Sequence, residues 1–313
     1  MHSSAPQTLG FKQFAGFRHL AGEMLWTRGI LLLVCLWFSS LDQNLADARE
    51  ITPNMMPDAV DDQYYGCTDD MERKAPALLE QELNGSKQFR KQWENTATKW
   101  EKVTADHSIQ FPPDFTESHG RAVIVYTDKK FHTDFMNAVK KNGKSSAYYK
   151  ANFKFKAVHY YLTRALHLLR EKAEWRYTDV VYRGTKDIYQ YKEGEEIRFG
   201  HFTATSSSES IAKEFGTTTF YTIHTTLGVN IMKLSYNASQ KEVLIPVNEV
   251  FTVFPKQGSN RYVLKSTGRT YNHLNCAYSS SGGITFPGQM RPSLLGGAVL
   301  LLNAATLRLF AGA

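Results

Sequence analysis

The sequence predicts an α+β fold: a mainly helical first part followed by a mainly antiparallel sheet. Three observations carry this. Over 49–175 apolar residues recur at helical intervals. After Trp175 the texture changes to short β-branched and aromatic runs. The two textures do not alternate, and no GxGxxG or Walker loop occurs, so a parallel βαβ sheet has no support.

The elements follow in order. "CTDDMERKAPALLEQEL" (67–83) has acidic residues in its first turn and apolar ones at Met71, Leu78, Leu79 and Leu83. "KQFRKQWENTATKWEKV" (87–103) spaces Phe89, Trp93 and Trp100 for a second helix, and "PPDF" (112–115) breaks the pattern. "AVIVYT" (122–127) reads as a short apolar strand. "DFMNAVKKNG" (134–143) reads as a helix stopped by Gly143. "FKAVHYYLTRALHLLRE" (155–171) is the clearest amphipathic helix, with a stripe of Val158, Leu162, Ala165 and Leu169; His159 and His167 fall off it and read as surface residues. "DVVYRGT" (179–185), "EIRFGHFTATS" (196–206), "TTFYTIHTT" (218–226), "NIMKLS" (230–235), "KEVLIP" (241–246), "EVFTVF" (249–254) and "NRYVLKST" (260–267) have the length and composition of strands.

The two ends read as processing signals. "RGILLLVCLWFSS" (28–40) puts a basic residue before an apolar run too short to span a bilayer, and Ala46 and Ala48 supply an Ala-x-Ala cleavage pattern. Residues 1–48 are thus an N-terminal extension and signal peptide, with Met1 or Met24 as the start. Within 282–313, small residues just upstream, a spacer (284–293) and an apolar tail (294–310) follow the pattern of a lipid-anchor (GPI) signal. An unprocessed, secreted form is the alternative, since Asn303 and Arg308 interrupt the tail. The domain between them, 49–281, divides into a mainly helical 49–175 and a mainly β 176–281. That places the protein in the secretory pathway, on the outer face of the plasma membrane or secreted.

The formal charge of +7 falls to +5 without the two ends, because 1–48 are neutral in sum and Arg291 and Arg308 leave with the tail. The basic residues are scattered, so nucleic acid is not an expected partner. No CxxC, HExxH or other cluster has metal-ligand spacing. Cys35 lies in the leader, and in an oxidising compartment Cys67 and Cys276 are expected to pair, with about 4–5 kcal/mol of loop-closure entropy. Sequons stand at Asn84 and Asn237.

Three features have the residue types that chemistry needs. Arg183 ends a strand expected to be buried on both sides. Gly184 beside it permits close approach of a ligand or another backbone. A guanidinium there needs an anion: either a phosphate or a structural carboxylate. "FTATSSS" (202–208) puts hydroxyls at a strand end, where Ser207 or Ser208 also suits a helix N-cap. In "NASQKEVLIP" (237–246), Gln240 and Glu242 project to one face of an extended segment; alone, Glu242 reads more readily as a solvated edge residue.

Together an arginine, a hydroxyl and a glutamate on separate strands resemble the Arg–Ser–Glu constellation of mono-ADP-ribosyltransferases. "DDQYYGC" (61–67), "HYYLTRALHLL" (159–169), "VYRGTK" (181–186), "IRFGHFT" (197–203), "LGV" (227–229) and "KEVLIP" resemble, in order, the landmarks of the vertebrate GPI-anchored ecto-mono-ADP-ribosyltransferases. The resemblance implies a two-sheet β core, NAD as co-substrate without a metal, and transfer of ADP-ribose to a protein acceptor, arginine by family analogy. The alternatives are an NAD glycohydrolase or a catalytically silent surface glycoprotein. It implies catalytic roles for Arg183, Ser206 and Glu242. NAD contacts fall to Arg183, Gly184, Thr185, Thr205, Phe215 and Gln240, with Phe215 of "AKEFG" stacking on nicotinamide. It also implies the Cys67–Cys276 disulfide.

Three departures from the family pattern stand out. The first serine of the Ser-x-Ser triplet falls on Ala204. The Glu-x-Glu of arginine-directed members reads Gln240-Lys241-Glu242, and Gln240 cannot act as a base. A second family disulfide falls on Thr178 and Thr226. Asn237 lies three residues before Gln240, where a glycan crowds a protein acceptor more than water.

Overall fold

The computed structural model describes residues 50–51, 54–256 and 260–279. The expected leader and C-terminal signal lie outside the described residues. A short strand, β1 (Glu50–Ile51), precedes six helices: α1 (Thr68–Asn84), α2 (Lys87–Thr104), α3 (Glu117–Tyr126), α4 (Lys129–Lys141), α5 (Ser146–Asn152) and α6 (Lys156–Leu169). The caps follow from sequence. Ser86 accepts from Phe89 N to start α2, and Asp128 accepts from Lys130 N and Phe131 N to start α4. Helix α6 packs on α1 and α3 and is buried nearly all round.

The β half comprises β2 (Arg176–Tyr177), β3 (Val180–Thr185), β4 (Ile188–Tyr189), β5 (Glu196–Ile197) and β6 (Thr203–Ser206). After the short helix α7 (Glu209–Glu214) come β7 (Thr219–His224), β8 (Gly228–Asn230), β9 (Glu242–Ile245), β10 (Glu249–Lys256) and β11 (Arg261–Thr270). Nine strands run β2-β8-β9-β6-β3-β7-β11-β10-β5, and β1 pairs with β4 separately. Within the nine, only β7 and β11 are parallel. The expected two sheets are the two halves of this order. They meet at one register pair, Tyr182 with Ser206. Strand β9 divides its side chains between two apolar clusters: Leu244 packs with the helices, Phe202 and Val229, while Val243 and Ile245 pack with Val181, Ile223, Phe251, Val253 and Leu264.

Both ends of the described chain are fastened together. Cys67 and Cys276 form a disulfide across 209 residues of sequence. Asp62 accepts from the backbone N–H groups of Cys276 and Ala277. Asp61 accepts from Leu274 N and, at 2.8 Å, from Arg198, whose side chain is fully buried.

Several sequence expectations are corrected. "AVIVYT" lies in helix α3, not a strand. All seven residues from His119 to Tyr126 other than Arg121 are buried, and an apolar run of this length has no period to distinguish strand from buried helix. His119 at N3 completes a capping box with Thr116. His159 is not a surface residue: it is buried, 2.8 Å from the Tyr64 hydroxyl and 3.0 Å from the Val60 carbonyl. A helix surrounded on every side has no polar face for it to occupy. His167 is half-buried, 3.1 Å from Gln63 Oε1. "EIRFGHFTATS" breaks into β5 and β6 around buried Arg198, and β8 ends at Asn230. In β3 only Val181 and Gly184 are buried; the strand is half-covered, not enclosed.

Candidate functional site

A cavity of about 510 Å³ opens where the sheet halves join. Arg183, Gly184 and Thr185 from β3, Ala204, Thr205 and Ser206 from β6, Glu242 opening β9, and Phe215 after α7 all line it, with Gln240 at its edge. These are the predicted site residues, and the fold brings them to one place. The antiparallel pairing of β6 with β9 sets Ser206 opposite Glu242 and Thr205 opposite Val243.

Arg183 donates from Nη1 to the Ala204 carbonyl at 2.7 Å. Among the described residues it has no carboxylate partner, so the structural ion pair is not its role. An unneutralised fork on a cavity wall suits an anion, and phosphate in particular. Gly184 is required by backbone. A Cβ there would lie 2.1 Å from the Gly216 carbonyl oxygen and 2.4 Å from that of Ala212. Close approach of β3 to the end of α7 thus sets Phe215, 52 % exposed, at the cavity edge.

Glu242 is 6 % exposed. Burial pushes its carboxyl up to about 7, and a hydrogen bond from Ser235 opposes the rise. The solvated-edge alternative is therefore excluded. The hydroxyls beside it are engaged elsewhere: Thr205 donates to the Val243 carbonyl at 2.6 Å, and Ser206 to the Gln240 carbonyl at 2.7 Å. Ala204, which also lines the cavity, offers no hydroxyl.

Gln240 and Glu242 share the cavity, but not by strand alternation. Ala238–Gln240 form a 3-10 turn, and Lys241 adopts the left-handed conformation, φ 48°. That kink replaces the extended geometry of the i, i+2 expectation. The loop is tied at several points: Tyr236 N to Thr127 Oγ1, Asn237 N to Ser235 Oγ, Ser207 N to the Lys241 carbonyl. Asn237 is exposed and accepts from Ser239 Oγ at 2.6 Å. Asn84 is exposed at the end of α1. Thr178 follows β2 and Thr226 precedes β8, neighbouring ends of a pair registered at Tyr177 and Gly228.

Sequence reasoning missed the helical wall. Thr127, Lys129, His132 and Thr133, from the α3–α4 junction, line the cavity. Burial, then the Arg183 charge, lowers His132 to about 4, so it is neutral near pH 7. Lys140 is lowered by burial and by Arg183. The signal available was "TDKKFH" (127–132), a basic stretch opened by the N-cap Asp128. Ser235 was also missed, since nothing in spacing links it to a glutamate seven residues on.

The comparisons with known proteins agree on one family. The family model described as NAD:arginine ADP-ribosyltransferase matches residues 53–272. Ecto-ADP-ribosyltransferase 5 of Rattus norvegicus is 38 % identical over 266 residues, 82 % of this chain and 83 % of that one. T-cell ecto-ADP-ribosyltransferase 1 of the same species is 40 % identical over 230 residues, 72 % and 80 %. Among solved structures, the eucaryotic mono-ADP-ribosyltransferase ART2.2 is 37 % identical with a TM-score of 0.65, covering 73 % of this chain and all of its own. A variant of ART2.2 in complex with NAD gives the same score.

Proposed function

The chain belongs to the NAD:arginine ADP-ribosyltransferase family, and on that premise we propose how its cavity works. The protein is an NAD-dependent mono-ADP-ribosyltransferase of the cell surface; its reaction breaks the nicotinamide–ribose bond of NAD and releases nicotinamide. The carrying observation is one cavity holding a guanidinium, Arg183, that has no carboxylate partner among the described residues, and a buried carboxylate, Glu242.

Cleavage sends the bonding pair to nicotinamide and leaves oxocarbenium character on the ribose. Glu242, ionised, stabilises that charge and accepts from a ribose hydroxyl. In a site screened from water such a preorganised charge contributes several kcal/mol. Arg183 holds the diphosphate, with Gly184 and Thr185 beside it, and Phe215 stacks on nicotinamide. Thr205 and Ser206 act through the backbone they bind: Ser206 fixes the Gln240 carbonyl and with it the acceptor loop. The acceptor nucleophile then bonds to the ribose carbon and loses a proton.

By family analogy the acceptor is an arginine on a protein. Gln240 favours a second reading, hydrolysis of NAD, since an amide cannot take the guanidine proton. The leader over 1–48, the domain 49–281 and a lipid-anchor signal over 282–313 complete the proposal, with glycans on Asn84 and Asn237. Nicotinamide release from NAD tests the enzyme reading, with Glu242→Gln as the control. Release that does not depend on Glu242 sinks it. Labelling of polyarginine then separates transfer from hydrolysis.

A further inference from the structure

We propose that Ser235 is the positioning residue for Glu242, supplying from outside the Ser-x-Ser segment the hydroxyl that Ala204 lacks. The inference rests on Glu242 acting upon NAD.

Ser235 is fully buried and donates to Glu242 Oε2 at 3.1 Å. Among the described residues this is the side-chain hydrogen bond that the carboxylate receives. The nearer candidates on β6 face away from the task. Thr205 and Ser206 donate to the Val243 and Gln240 carbonyls.

The geometry of Ser235 is built from Glu242 itself. Ile231 N donates to the Glu242 carbonyl at 3.0 Å, and Leu234 N and Ser235 N both return to the Ile231 carbonyl at 2.9 Å. One turn therefore grips the backbone of Glu242 and its side chain together. Ser235 Oγ also accepts from Asn237 N at 3.2 Å. The proton goes to the carboxylate, because an ionised Oε2 can only accept, while the hydroxyl oxygen accepts from Asn237 N. With Oε2 so held, Oε1 is left to meet the ribose. The bond also favours the ionised form that the reaction needs, against the burial that disfavours it.

The test compares Ser235→Ala and Ser235→Thr in the full protein. The pH profile of nicotinamide release and the split between kcat and KM for NAD are the readouts. A hydrogen bond to a charged group is worth roughly one pH unit. Ser235→Ala should therefore lower kcat about five-fold at pH 7, move the alkaline-rising midpoint up by about one pH unit, and leave KM nearly unchanged. Ser235→Thr keeps the hydroxyl and should restore the midpoint. A midpoint that stays put in an active Ser235→Ala protein overturns the proposal.

Should Ser235→Ala be inactive, a double-mutant cycle with Glu242→Gln by urea unfolding decides at pH 8.5. Coupling between the two positions that disappears at pH 4 is expected; no coupling at either pH overturns it. Failure of the functional reading looks different: there, Glu242→Gln itself leaves release intact.

Discussion

Replacing Glu242 with glutamine should make this protein more stable and less active. The carboxyl stands at about 7 in the folded state against an ordinary value of 4.5. At about 1.4 kcal/mol for each pH unit, that difference is about 3 kcal/mol. Between pH 4.5 and 7 the folded state holds more protons than the unfolded one, so stability falls as pH rises through that window. Above it, the buried charge costs the full amount. Glutamine has nearly the same shape, accepts from Ser235 through its amide oxygen, and carries no charge to desolvate. Urea unfolding of both proteins at pH 4, 6 and 8 measures the difference. Glu242→Gln should match the parent at pH 4 and exceed it by up to about 3 kcal/mol at pH 8. Nicotinamide release by the parent should rise through pH 7, while the variant loses it. A stability difference that is flat with pH would refute the reasoning, because the carboxylate would then not be desolvated in the fold.

Four further outcomes follow from the same structure. Gln240→Glu should raise labelling of polyarginine relative to NAD hydrolysis; unchanged partition would show that this position does not meet the acceptor. Gly184→Ala should lower stability by about 3 kcal/mol, the upper end for overpacking, because the added methyl meets two backbone carbonyl oxygens; thermal unfolding checks it. Reducing the Cys67–Cys276 disulfide, or replacing both cysteines with serine, should cost about 5 kcal/mol by chain entropy, read from urea midpoints. Asn237→Gln should remove a glycan, seen as a mass change on secreted protein, and increase labelling of protein acceptors more than hydrolysis.

The legible parts of the molecule were those written in local pattern. The helix over Lys156–Leu169 and the strand around Arg183 announced themselves by period and composition. The Arg183, Gly184 and Glu242 placements followed from motif. The α3 helix was misread because five consecutive apolar residues, Ala122 to Tyr126, carry no period, and burial on all sides is a tertiary fact. His159 misled for the same reason: its partners, Tyr64 and Val60, lie 95 and 99 residues away in sequence. The helical wall of the cavity and the Ser235 hydroxyl depend on how the α3–α4 junction and a tight turn meet the sheet. No spacing rule reports such meetings.

The clasp between the two ends of the described chain has a mechanical side. A pull applied beyond Ala277 passes through Cys276 and Cys67 directly into the first turn of α1. The Asp61 and Asp62 carboxylates take the remaining load through backbone hydrogen bonds at 274, 276 and 277. The long β10–β11 hairpin that leads to this point lies outside that route. Tension at this end is thus grounded in the helical half, and the strands that hold Arg183 and Glu242 are spared it.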